Sequence, residues 1–239
     1  MQQDYGAAAT ELNSLLNLDV PPLAITFSDE APSGVAAFDE PMSEPSEDGR
    51  RGRVAASCVF WMKGTGRTFS TVPEDHGNCS VGRMTHGFAG LEDVAGNYDV
   101  AALLESGWVS MEHVPKIPVV SRSYGHVTYG PLAETPVDPD IVFLRLTPKQ
   151  LMVLNDALPE MSLEGKPQCH IIAMAKEHNR VAASIGCMLS RVRTEMGSHE
   201  MTCAIPGTML GEVLERLRRA ELIDDTVAAY AARDKRRFR

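Results

Sequence analysis

The feature that most constrains this chain is a short apolar run that stops at a glycine and a cysteine. Arg180-Val181-Ala182-Ala183-Ser184-Ile185 leads into Gly186-Cys187, and Met188 to Glu195 can be helical. A strand that feeds a helix through such a turn puts a thiol beside first-turn N–H groups and the positive end of the helix dipole. That setting favours a thiolate, which can ligate a metal or attack an electrophile. Gly186 lets the backbone turn sharply or a ligand come close, and Arg191 and Arg193 add positive charge nearby. The plainer use of the same residues is a buried cysteine closing a core strand.

Four more cysteines share the chain: Cys58, Cys79, Cys169 and Cys203. None forms a Cys-x-x-Cys pair, so local zinc-ribbon and thioredoxin patterns are absent. The N-terminus shows no basic start followed by an apolar core, and no apolar run approaches the ~20 residues of a membrane helix. The expectation is a cytoplasmic protein whose cysteines are core residues, metal ligands or reactive thiols rather than a disulfide framework. A net charge of -9 argues against a general nucleic-acid or anionic-membrane binder. With 239 residues, 44% of them hydrophobic, the chain can bury a core without staples.

Strand-like and helix-like segments alternate. Residues 7–18 read as a helix on Leu12, Leu15 and Leu16, ended by Val20-Pro21-Pro22. Leu23 to Phe27 is a strand, and residues 28–53, rich in proline and acids, form a long surface connection. Val54 to Lys63 reads as a buried helix with Ser57 near its cap, and Arg67 to Val72 as a strand. Pro73 to Gly90 gathers Gly, His and Cys in a loop of the kind that carries function on a rigid scaffold. Leu91 to Glu105 is a helix, His126 to Leu132 and Ile141 to Leu146 are strands, and Thr147-Pro148 starts another helix. Pro167 to Glu177 is a helix, Arg180 to Gly186 a strand, and Glu200 to Ile205 a strand ended by Pro206-Gly207. A last helix follows from Thr208, and residues 221–239 finish as helix and basic tail. The pattern predicts an α/β or α+β fold, a mixed sheet flanked by helices in one compact domain over residues 1–239.

The pieces resemble, in order, the domain of unknown function 169 family. Pro22-Leu23-Ala24-Ile25-Thr26-Phe27 follows a leucine-rich helix, as in that family. Cys58 heads a helix, and Phe69 to Gly82, with Glu74-Asp75-His76 and Cys79, is similar to its second cysteine block. Cys169 precedes Gly186-Cys187 at similar spacing to its third and fourth cysteines. Ser190-Arg191, Thr194, Glu200-Met201 and Ile205-Pro206-Gly207 resemble its closing block. The resemblance covers roughly residues 8–217, leaving 218–239 as a terminal helix and tail. It implies the fold and brings no settled activity.

Cys58, Cys79, Cys169 and Cys187 thus stand on separate elements. Four thiolates suit tetrahedral zinc or an iron–sulfur cluster. Structural zinc usually shows close ligand pairs, whereas a 4Fe-4S cluster can be built from scattered cysteines. Cys203, in an alternating strand, reads as plain core. His76 and His86 flank Cys79 as candidate zinc ligands, as an acid–base pair, or as loop residues in local hydrogen bonds. Arg191 either binds an anionic group or pairs with Glu195 one turn on. The expectation is an enzyme, an oxidoreductase or lyase, with a 4Fe-4S cluster on the four cysteines. His76 moves protons and Arg191 positions a small anionic substrate, with an electron donor as a further partner. The alternatives are a zinc-binding or redox-sensing module without catalysis, and a metal-free thiol enzyme using Cys187. A homodimer is the default assembly.

Overall fold

A computed structural model describes residues 3–40, 55–194 and 196–234. The chain opens with helix α1, Tyr5–Leu16, where the Asp4 carboxylate accepts from the Ala7 N–H at 2.9 Å. Ala8, Ala9, Leu12 and Leu16 form its buried stripe. Strand β1, Leu23–Ser28, follows the two prolines. Of the acidic connection read at 28–53, residues 41–53 lie outside the described residues. Helix α2, Ser57–Lys63, buries Phe60 and Trp61 completely. Its cap position is Ala56, which has no side-chain acceptor, and Ser57, the first helical residue, bonds His76 instead. Strand β2 is Phe69–Thr71.

The Gly/His/Cys segment read as a loop contains helix α3, Ser80–Thr85. The helix expected over Leu91 to Glu105 is two, α4, Leu91–Val94, and α5, Tyr98–Glu105. Gly96-Asn97 separates them, and both residue types disfavour a helix interior. Strands β3, His126–Pro131, and β4, Ile141–Leu146, are followed by helix α6, Pro148–Ala157. Thr147 and Gln150 cap α6 reciprocally: the Gln150 side chain accepts from the Thr147 N–H at 2.7 Å, and the Thr147 hydroxyl from the Gln150 N–H at 3.4 Å. A short strand not anticipated from sequence, β5, is Ser162–Glu164. Helix α7, His170–His178, strand β6, Ala182–Ser184, and helix α8, Met188–Arg193, carry the chain through the Gly-Cys turn. Strand β7 is Met201–Pro206, and helix α9 runs unbroken from Leu210 to Arg233. The boundary drawn at 217 therefore falls inside one helix. The basic residues 235–239 lie outside the described residues.

The strands form one seven-stranded sheet in the order β2-β3-β1-β4-β7-β6-β5. Every pairing is antiparallel except β5 with β6. Alternation along the strands sorts side chains to two cores. On β4, Val142, Leu144 and Leu146 pack with α1, α6 and α9, while Ile141 and Phe143 pack with α2 and α7. Cys203 on β7 belongs to the first core, whereas Cys58, Cys79 and Cys169 belong to the second. The sheet thus separates Cys203 from the other cysteines. The structure is the predicted mixed sheet flanked by helices in a single compact domain. Among the described residues no helix is long and apolar enough to cross a membrane.

Candidate functional site

Each of the four remaining cysteines sits at the start of a helix on the second face. Cys58 is in the first turn of α2, and Cys79, Cys169 and Cys187 immediately precede α3, α7 and α8. Local packing fixes each. Phe60 and Trp61 anchor α2. The Asp99 carboxylate accepts from the Ser80 N–H at 2.9 Å and the Ser80 hydroxyl at 2.7 Å, which fixes the start of α3. Before Cys187, Gly186 has φ +116°, a region that side-chain-bearing residues rarely adopt. The Arg191 guanidinium fills the space a Cβ there would need.

The four thiols converge on one cavity of about 30 Å³. Ser57, Trp61, Gly82, Trp108, Gln168, Ser190 and Arg193 complete much of its wall. Burial pushes the Cys58 thiol up to about 12, against the opposing pull of the Ser190 hydroxyl and the Arg193 cation. Burial raises Cys79 as well, countered by a hydrogen bond from the Gly82 N–H and by Arg193. Cys169 is driven well up by burial and then by Cys79, with the Thr85 hydroxyl acting the other way. In this form Cys58, Cys79 and Cys169 are neutral thiols at pH 7, each with a hydrogen-bond donor in reach that would stabilise the thiolate. Two buried polar atoms of the wall, Trp61 Nε1 and Gln168 Oε1, have no hydrogen-bond partner.

His76 does not line the cavity. It is completely buried, with Nδ1 2.8 Å from Ser57 Oγ and Nε2 2.9 Å from Thr71 Oγ1. Burial, then His86 and Arg83, holds its pKa well below the usual histidine range, so the ring is neutral. Ser57, one bond removed, is the group of this chain that reaches the wall. His86 is equally buried, 5.6 Å from His76 between ring centroids, and burial lowers it to about 4. Its Nδ1 contacts the Gly82 carbonyl at 2.9 Å. Both histidines make local hydrogen bonds and neither faces the thiols.

Arg191 is also elsewhere. Its Nη2 donates to the carbonyls of Ile185 at 3.2 Å and Glu200 at 2.5 Å, clasping the two ends of the segment that joins β6 to β7 through α8. Glu195, the partner considered for it, lies outside the described residues; Glu200 instead pairs with Arg145 at 2.7 Å. The cation at the cavity is Arg193, whose Nη1 donates to the Asn78 carbonyl at 3.1 Å. Sequence reasoning placed Arg193 only as charge near Cys187, gave the binding role to Arg191, and missed Ser57, Ser190 and Gln168 as site residues. One signal was present: Ser190 and Arg193 follow Cys187 by three and six residues, a spacing that can share a helix face.

A family model, "DUF169: Uncharacterised ArCR, COG2043", matches residues 11–216. The chain belongs to the DUF169 family. No curated protein and no solved structure matches it. This DUF169 chain therefore has its site read from its own geometry. A single zinc ion bonds thiolates at about 2.3 Å, which draws ligand sulfurs to within about 4 Å of one another. Among the described residues, no three or more His, Cys, Asp or Glu side chains are grouped to hold one metal ion. The donor set is thus four thiols that line a common space.

Proposed function

We propose that this DUF169 protein holds an iron–sulfur cluster on Cys58, Cys79, Cys169 and Cys187 and acts on a small anionic molecule. The convergence of four thiols from four separate elements on one cavity carries this reading. A cluster interposes its own iron and sulfide between its ligands, so cysteines from separate elements can share it. Arg193, the Gly82 N–H and the Ser190 and Thr85 hydroxyls already oppose the cost of burying thiolates. The orphaned Trp61 N–H is a further donor for a buried anionic group. The cavity of about 30 Å³ has room for only one or two waters, so loading turns the thiols outward and shifts the helix starts that bear them.

Held by all four thiolates the cluster would supply electron transfer; Lewis acidity would need one cysteine to stand off and leave an iron open. Arg193 offers the charge that holds an anionic substrate at the wall. An electron donor is the partner a reductase needs, and a reducing compartment such as the cytoplasm keeps the five free cysteines available. A second reading is a metal-free thiol enzyme using Cys187, which lines the same cavity at the start of α8.

Purification and reconstitution without oxygen, followed by iron and sulfide analysis, decide between them. The expected result is a brown protein with about four iron and four sulfide per chain. Each of Cys58→Ser, Cys79→Ser, Cys169→Ser and Cys187→Ser lowers that content or converts the cluster type. A colourless protein after reconstitution sinks the cluster; one zinc per chain sinks it in favour of a metal module.

A further inference from the structure

Helix α9 changes character half-way along. As far as Ala220 it buries Leu210, Val213, Leu214, Leu217 and Ala220 in the core it shares with α1 and α6. The next residues in that phase are Asp224, Ala228 and Ala231, too polar or too small to continue the apolar stripe. They line a groove of about 510 Å³ instead, with the end of α1 and the start of α6 on its far side. Its apolar floor is open to solvent, Met152 at 52% and Val227 at 58%. The charges divide at the same point. In the first half of α9, Glu212, Glu215, Arg216, Arg218 and Arg219 all stand in ion pairs, with one another or with Glu11 and Glu160. Beyond them Glu221, Asp224 and Asp225 line the groove with Asp19, and among the described residues none of these four makes an ion pair. Lys149 is the one cation of the wall. Asp224 Oδ2 is buried without a hydrogen-bond partner, which is costly for a carboxylate.

The chemistry that complements such a groove is a short cationic segment with an apolar anchor. This chain carries one directly after α9: Lys235-Arg236-Arg237-Phe238-Arg239, outside the described residues. Lys235 follows Ala231, at the end of the groove, by four residues. Five residues span up to about 17 Å, and α9 from Asp224 to Asp234 is about 15 Å long. The segment can therefore return along the groove as far as the unpaired carboxylates. We propose that the groove receives residues 235–239 of the same chain, with Phe238 over the floor at Met152 and Val227 and the cations on Glu221, Asp224 and Asp225. The segment is then a strap that holds the second half of α9 to α1 and α6. The groove lies on the opposite sheet face from the thiols, so the strap is independent of any metal.

Nuclear magnetic resonance of the full chain tests this. Overhauser contacts are expected from the Phe238 ring to the methyl groups of Met152 and Val227. Amide exchange over residues 224–233 is expected to be about fivefold slower than in a chain ending at Asp234, the ratio a few exposed ion pairs give together. The double change Asp224→Asn and Asp225→Asn removes most of that difference, and so does raising the salt to about 1 M, where exposed charges are screened. The salt series uses the unaltered chain, so it holds whether or not the double variant folds. A Phe238 ring without these contacts overturns the proposal, as does equal exchange with and without residues 235–239. A mixture of labelled and unlabelled copies locates the contacts. Contacts within one copy support the strap, and contacts found only between copies overturn it in favour of a second copy seated in the groove.

Discussion

At the scale of single residues, burial separates the groups that react from those that hold them. His86 is fully buried with Nδ1 on the Gly82 carbonyl and Nε2 unpartnered, so protonation would add a charge and an N–H with no acceptor. An unfolded histidine titrates near ~6.5, whereas burial lowers His86 to about 4 in the fold. The unfolded chain thus binds the extra proton first as pH falls. Stability is full above about pH 6.5 and declines towards pH 4, by up to about 3 kcal/mol from this group. His76 shifts in the same direction and adds to the loss. Urea midpoints measured from pH 7.5 to 4.5 should fall, and His86→Gln should flatten the slope; a flat profile in the parent protein rules this account out. Gly186 is the other decisive residue. Gly186→Ala meets both a positive φ and the Arg191 guanidinium, so it costs about 1–3 kcal/mol by chemical denaturation. The sequence announced that glycine because a strand-to-helix turn demands it. It did not show which arginine points inward, because helix phase depends on the first helical residue: a shift of one position rotates every following side chain by about 100°.

At the scale of elements, the legible parts were those with strong periodicity or a capping signal. The Thr147-Pro148 start of α6 and the leucine stripe of α1 were readable because the residues that make them are local; the return bond from Gln150 was not anticipated. Strand β5 was not readable, since Ser162-Leu163-Glu164 gains its partner from β6 rather than from its own pattern. Helix α3 was hidden by its glycine and by the flanking histidines, and Asp99, nineteen residues on, fixes its start. The convergence of the four thiols was likewise invisible, because sheet order and strand alternation bring their elements together. That same alternation isolates Cys203, whose neighbours on the α1/α6/α9 face include Leu144 and Ile205. Cys203→Ala therefore leaves metal content unchanged and costs about 1 kcal/mol for the small cavity it opens. Iron analysis beside denaturation of this variant checks the separation of faces, and loss of iron would place Cys203 in the site after all.

At the scale of the whole molecule, the two faces of the sheet do different work. One carries α1, α6 and the buried half of α9 in a continuous aliphatic core. The other carries short helices, aromatic rings and the thiol cavity. Of the four elements that meet at the cavity, α2, α3 and α8 are each seven residues or fewer. Helices this short owe their stability to tertiary contacts, so a cofactor that ties their starts together stabilises them directly. A ligand bound only to the folded form adds stability in proportion to the logarithm of its occupancy, and the gain appears first where local opening is easiest. Reconstitution with iron and sulfide should therefore slow amide hydrogen exchange in α2, α3, the start of α7 and α8. The amides of α1, α6 and the first half of α9 should be protected alike in both forms. Protection that rises evenly over both faces would mean the cofactor acts through global stability alone. Protection confined to α8 would mean that Cys187 binds without its three companions.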